Sequence, residues 1–126
     1  MKLFFRKFGS GHPLVILHGL FGTSDNWNTL AKKYGEHFTT YTIDLRNHGQ
    51  SPHSEIWNYG VMADDVIELL QSENIYSAHI IGHSMGGKVA MFMTGKSGSA
   101  IQKLIVSDIA PKQYVPHHSE NLEALN

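Results

Sequence analysis

The sequence contains no cysteine. Disulfide bridges and thiolate metal sites are therefore excluded, while every redox compartment stays open to the chain. Long apolar runs are also missing, and nothing approaches the ~20 consecutive apolar residues of a membrane-spanning helix. Charge of one sign is scarce as well. The 10 Lys and Arg residues stand against 11 Asp and Glu, a net charge of −1, and no long basic run offers a surface to nucleic acid. At the N-terminus the apolar "LFF" is cut off by Arg6 and Lys7, well short of the roughly seven to fifteen apolar residues of a secretory signal. "KLFFRKF" therefore reads as a strand. These absences predict a cytoplasmic protein with neither a membrane nor a nucleic-acid partner.

What is present suits a folded domain. The chain has 126 residues, of which 41% are hydrophobic and 17% charged, enough apolar matter to bury a core at the size of one ordinary domain. Short β-rich runs at "LVIL" (14–17), "FTTYTID" (38–44), "AHIIG" (78–82) and "KLIVSD" (103–108) follow the N-terminal strand, which turns back through "GSGHP" into the second. Helical patterns lie between them. Trp27, Leu30, Ala31 and Tyr34 recur at i, i+3, i+4 and i+7, with Ser24 or Asp25 available to cap the start and Gly35 the end. Met62, Val66, Leu69 and Leu70 form the stripe of a second helix, whose Asp64, Asp65 and Glu68 are expected to face water. The third, from Met85 to about Gly95, is apolar nearly all round, as expected of an interior helix. Strands alternating with helices predict an α/β fold built on a mostly parallel sheet with helices on both faces.

Into this pattern "HIIGHSMGGKVAMFM" places Ser84 within G-x-S-x-G, formed by Gly82, Ser84 and Gly86, between a strand and a helix. In a nucleophile elbow the serine occupies a tight turn and projects its hydroxyl above the carboxyl end of the sheet. Side chains at the flanking positions would collide with strand and helix, which is why glycines stand there. Gly87 adds close helix-to-sheet packing. Acyl transfer also needs two N–H donors aimed at a developing oxyanion. Met85, directly after the serine, supplies one. The turn in "LVILHGLFG" (14–22) supplies the other, at Leu20, with Phe21 next in line and also placed to contact substrate. His18 is expected to brace that loop rather than abstract a proton, and His83 to pack or line the site. In "IDLRNHGQSPH" (43–53), Asp44 and Arg46 are expected to lock a scaffold loop by hydrogen bonds and a charge pair.

With these residues in hand the chain resembles the α/β-hydrolases, and more narrowly the small YbfF-type bacterial esterases and related mammalian abhydrolase-domain proteins. The matching pieces, in order, are "LHGLFGTSDNW", "DLRNHGQSP", "GHSMGGKVAM" and "VSDIAP", spanning positions 17 to 111. The Asn of "RNHG" stands where many α/β-hydrolases carry Gly or Pro-Gly. The resemblance implies hydrolysis of carboxylic esters or acyl thioesters, small molecules, with no cofactor and no metal. It also implies a Ser–acid–His triad in chain order. Ser84 matches the nucleophile. Asp108, at the end of "LIVSD", has two readings: the triad acid, or an aspartate that pins the following loop through backbone N–H groups.

The family's catalytic histidine comes last, in a domain roughly twice this length. His117 and His118 alone follow Asp108, and their polar "VPHHSENLEAL" setting reads as a loop entering a helix rather than as a metal site. The chain is accordingly expected to be the N-terminal portion (1–126) of a single α/β-hydrolase domain. Residues 112–126 would begin a cap region, the fold would break off after the strand that follows the nucleophile helix, and the base would lie beyond Asn126. Such a piece is expected to expose apolar surface and to be inactive alone. Two other outcomes stay open: a different α/β-hydrolase chemistry (C–C hydrolysis or a lyase), or a non-catalytic fragment that keeps the elbow.

Overall fold

A computed structural model describes residues 1–107 and contains five strands: β1 (Phe5–Phe8), β2 (His12–Leu17), β3 (Phe38–Ile43), β4 (Ala78–His83) and β5 (Ile101–Ser107). Three α-helices join them, α1 (Asn28–Tyr34), α2 (Tyr59–Ser72) and α3 (Met85–Ser97). The strands form one sheet in the order β1-β3-β2-β4-β5, parallel except for β1, which runs antiparallel to β3. The alternation read from the sequence thus gives the expected α/β architecture.

β1 does turn back at Gly9–Gly11, but it pairs with β3 and not with the strand that follows it. The connection has to pass over the start of β3. It does so where Gly9, at φ +72°, lies so close to the Gly35 carbonyl that a side chain has no room.

The connections decide where a site can form. From β2 the chain crosses through α1 to β3 on one side; from β3 it crosses through α2 to β4 on the other, and continues through α3 to β5. Right-handed crossovers running in opposite directions put their helices on opposite faces. On one face Val15, Leu17, Tyr41, Ile43 and Ile80 pack under α2 and α3, which contribute Met62, Val66, Leu70, Val89 and Met93. On the other, Ile16 packs with Trp27 and Ala31, flanked by Leu30, Tyr34 and Ile81. The reversal of direction opens a crevice at the carboxyl ends of β2 and β4, the position at which doubly wound sheets bind ligands. His18–Gly22 and Ser84 both leave the sheet there.

Several local expectations need correction. The segment 24–35 begins as a 3-10 turn (Ser24–Trp27), and its cap is Thr23, not Ser24 or Asp25. Thr23 donates its N–H to Asn26 Oδ1 at 2.9 Å, whereas the Ser24 N–H is drawn away to Asp44 Oδ1 at 2.7 Å. Asp65 does not face water; it is 2% exposed. α3 runs on to Ser97 and is not interior all round, since Met91 and Phe92 stand 58% and 48% exposed on its outer side. β2 and β3 are buried continuously from Leu14 and Thr40 onward, but β4 alternates because α1 covers only part of its second face. β5 pairs with β4 alone among the described residues, and none of its residues is fully buried.

Candidate active site

At the end of β4 the backbone turns sharply through Ser84, which adopts φ +51° and ψ −111°. A non-glycine residue held there stores on the order of 1–3 kcal/mol of strain. The surroundings leave it little choice. A Cβ on Gly82 would come within 2.6 Å of Gly87 Cα, one on Gly87 within 2.6 Å of Val106 Cγ1, and one on Gly86 would strike the Leu17 carbonyl. Strand, helix and neighbouring strands therefore meet at van der Waals contact around the turn. The Ser84 N–H is tied to Ser107 O at 2.6 Å, and its carbonyl receives the Lys88 N–H at 3.2 Å. Its side chain is exposed, at the N-terminus of a 13-residue helix whose dipole favours negative charge.

The loop after β2 lies alongside. His18, 1% exposed, is its brace. Nδ1 lies 2.8 Å from Gly19 O, and Nε2 lies 2.9 Å from Leu45 N. An N–H facing Nε2 requires that nitrogen to accept, so the ring is the neutral Nδ1–H tautomer and donates to Gly19. Burial lowers its pKa to about 4, against the raising effect of the Gly19 bond and with the help of nearby His48. Both ring nitrogens being engaged, His18 is no base for Ser84.

A residue that the motifs did not single out completes the brace. His48 accepts the Phe21 N–H on Nε2 at 3.2 Å, and its Nδ1 lies 2.9 Å from Arg46 O, to which it donates. Its ring lies 5.0 Å from that of His18 and 5.9 Å from that of Trp57. Phe21, at φ +60°, is thereby held in a tight turn closed by Gly22 N–H to Gly19 O at 3.0 Å. With the Phe21 N–H occupied, Leu20 is the loop donor left over. Neither the Leu20 nor the Met85 N–H has an acceptor among the described residues.

The loop at 43–53 is scaffold, built differently from the expected Asp44–Arg46 pair. Asp44 accepts the Ser24 and Gln50 N–H groups at 2.7 and 2.9 Å. Arg46 pairs instead with buried Asp65 on α2, Nε to Oδ2 at 2.8 Å and Nη2 to Oδ1 at 2.9 Å, and gives Nη1 to the Ile56 carbonyl at 2.8 Å. The Asp65 hydrogen bonds raise the Arg46 pKa above its ordinary value.

Ser84, Met85 and Leu20 open onto one cavity of about 520 Å³. Trp57, Tyr59 and Met62 add apolar wall, and Asn58 and Lys88 add polar groups. Phe21, although 89% exposed, is not among the lining residues, and neither is His83. The His83 ring lies on the α1 side, 5.9 Å from the Trp27 ring, with Nδ1 3.1 Å from Ser107 O. Asp108, His117 and His118 lie outside the described residues, as does the expected cap start at 112–126. Among the described residues no three His, Asp or Glu side chains converge on a metal-binding point, and no helix is long and apolar enough to cross a membrane.

A serine held at positive φ between a parallel strand and a helix, above the switch point of a doubly wound sheet, is the defining element of one class of fold. Residues 12–125 match the family model for the alpha/beta hydrolase fold, and the chain belongs to that family. It is 43% identical over 115 residues to Esterase YbfF of Escherichia coli (strain K12), covering 90% of this chain and 45% of that protein. A putative esterase/lipase of Haemophilus influenzae is 48% identical over 101 residues, 80% of this chain and 35% of that one. A solved marine microorganism esterase superposes with a TM-score of 0.84 at 50% identity, covering 98% of this chain and 48% of that chain. The chain thus spans less than half the length of each of these relatives.

Proposed function

We propose that the whole protein is a serine hydrolase of carboxylic esters, and of acyl thioesters by the same chemistry. The observation that carries this is Ser84 at φ +51°, exposed at the mouth of an apolar-walled cavity with the Leu20 and Met85 N–H groups beside it. In this reading the Ser84 hydroxyl attacks the acyl carbonyl as a base removes its proton. The two N–H groups hold the tetrahedral oxyanion, the alcohol or thiol leaves with the proton, and water hydrolyses the acyl-enzyme. The base is taken to be a histidine later in the chain than Asp108, in the family's Ser–acid–His order, with Asp108 as the candidate acid. Support for this comes from His18 and His48, whose ring nitrogens are all committed to the backbone. The same reading takes the protein to act in the cytoplasm and residues 1–126 alone to lack turnover.

Release of p-nitrophenol from p-nitrophenyl butyrate by the whole protein tests the assignment. Ser84→Ala should lower kcat by at least about a thousandfold while leaving the fold intact by circular dichroism. Retained turnover in that variant removes Ser84 from the nucleophile role.

A further inference from the structure

We propose that Lys88 selects esters that carry a second, anionic group: a free carboxylate a few bonds from the scissile carbonyl. The inference rests on the ester-hydrolase reading of the Ser84 site and names its substrate class. Lys88 sits one helical turn beyond Ser84, its N–H donating to the Ser84 carbonyl at 3.2 Å. It lines the same cavity, and its ammonium stands 5.8 Å from the centroid of the Tyr59 ring, which steadies it there.

Nothing among the described residues neutralises this cation. Lys96, further along the same helix, is paired with Asp64 at 3.1 Å, but among the described residues Lys88 forms no ion pair and the cavity lining contains no Asp or Glu. Asn58 adds a second donor to the wall. Its Oδ1 accepts the Val61 N–H at 2.9 Å, which leaves the amide NH₂ as its remaining polar group. The positive ends of two helices reinforce the field, since α2 is capped by Asn58 and α3 by Ser84, with no acidic residue in either first turn. Around these donors the walls are Leu20, Trp57 and Met62, apolar surfaces that strengthen an ionic contact relative to open water. A purely apolar ester uses none of this potential. The single charge of the lysine matches the single charge of a carboxylate.

The test compares kcat/KM for monoethyl and diethyl glutarate in the whole protein, as wild type, Lys88→Met and Lys88→Arg. Wild type should favour the half-ester. Lys88→Met should reduce the anionic-to-neutral ratio about tenfold, Lys88→Arg should keep most of it, and about 1 M salt should narrow the wild-type ratio. A Lys88→Met ratio within about twofold of wild type overturns the proposal, as does a wild-type preference for the diester. If wild type hydrolyses neither glutarate ester, binding decides the role of Lys88, and the hydrolase reading fails only where p-nitrophenyl butyrate is not hydrolysed either. Calorimetric titration of monoethyl glutarate into Ser84→Ala should then give a Kd that weakens about tenfold on adding Lys88→Met. An unchanged Kd, or no binding at all, rejects Lys88 as an anion-selecting residue.

Discussion

The backbone N–H of Phe21 donates to Nε2 of His48 at 3.2 Å, across 27 residues of sequence. This bond fixes the turn that presents Leu20, and His48 in turn is held by its Nδ1 on Arg46 O at 2.9 Å. The loop proposed to carry one oxyanion donor is therefore positioned from the end of β3, not by β2 alone. His48→Ala should leave the Phe21 N–H without its acceptor and let the turn relax. Steady-state kinetics on p-nitrophenyl butyrate should show kcat down about tenfold with KM little changed, because the donor matters most as charge develops. His48→Gln, whose amide oxygen can accept the same N–H, should recover part of the loss. Equal kcat in all three proteins would show that the turn holds itself.

His18 ties the same loop to Leu45 and carries a pH dependence whose sign is set. Its pKa is lowered from 6.5 to about 4 in the folded protein. Between those values the unfolded chain binds the proton that the folded chain refuses, so stability is complete above about pH 6.5 and is lost as pH falls towards 4. The full loss is roughly 3 kcal/mol. The groups around the ring are the Gly19 carbonyl, the Leu45 N–H, Asp44, His48 and His83. Urea unfolding of wild type and His18→Gln at pH 7 and pH 4.5 should show a smaller drop in the variant. Parallel drops would assign the pH sensitivity elsewhere.

Much of this architecture was legible in the residues, and the failures have physical causes. Apolar strand runs and helical stripes specify elements well because burial on one face is what selects the period. Charge alone places Asp65 in water, although it lies three residues after Met62 and four before Leu69, within the buried stripe of α2. Its partner Arg46 is 19 residues away, and no local pattern announces such a pair. His83 adjoins the serine in sequence, yet strand alternation sends its ring to the same side as Ile81, against Trp27. Trp57, Asn58 and Tyr59 lie in no motif, and Lys88 lies in "GHSMGGKVAM" with no role of its own there; only the crossing of α2 over α3 brings the four to one cavity.

The Arg46–Asp65 pair should behave as a buried ion pair does when one partner is removed. The two side chains are 11% and 3% exposed, and the N-terminal ammonium lies 3.6 Å from Asp65 Oδ1. Asp65→Ala strands the guanidinium and should destabilise the protein by about 3 kcal/mol in denaturant unfolding. Replacing both residues, as Arg46→Met with Asp65→Leu, should recover most of that loss, since desolvation of the charges disappears with them. A double variant as unstable as Asp65→Ala would show that the hydrogen bond to Ile56 and the loop geometry, rather than the charge, hold the segment.

Two glycines on α3 separate the demand of the elbow from ordinary helix propensity. Gly95 faces open space, with nothing within 4 Å of an added Cβ. There alanine should stabilise the helix by about 0.5–1 kcal/mol, because it restricts the unfolded chain and suits the helical conformation. At Gly86 the same change drives a methyl group into the Leu17 and His18 carbonyls. Backbone cannot swing aside as a side chain can, so α3 must move off β2 or the turn at Ser84 must open. Gly86→Ala should therefore destabilise by more than about 3 kcal/mol and remove the positive φ on which the exposed hydroxyl depends. Thermal melts of the two variants should move in opposite directions, and Gly86→Ala made in the Gly95→Ala background, where added stability offsets part of the loss, should remain inactive even where it folds. A folded, fully active Gly86→Ala would mean that β2 and α3 are not held in the close contact that sets the serine's turn.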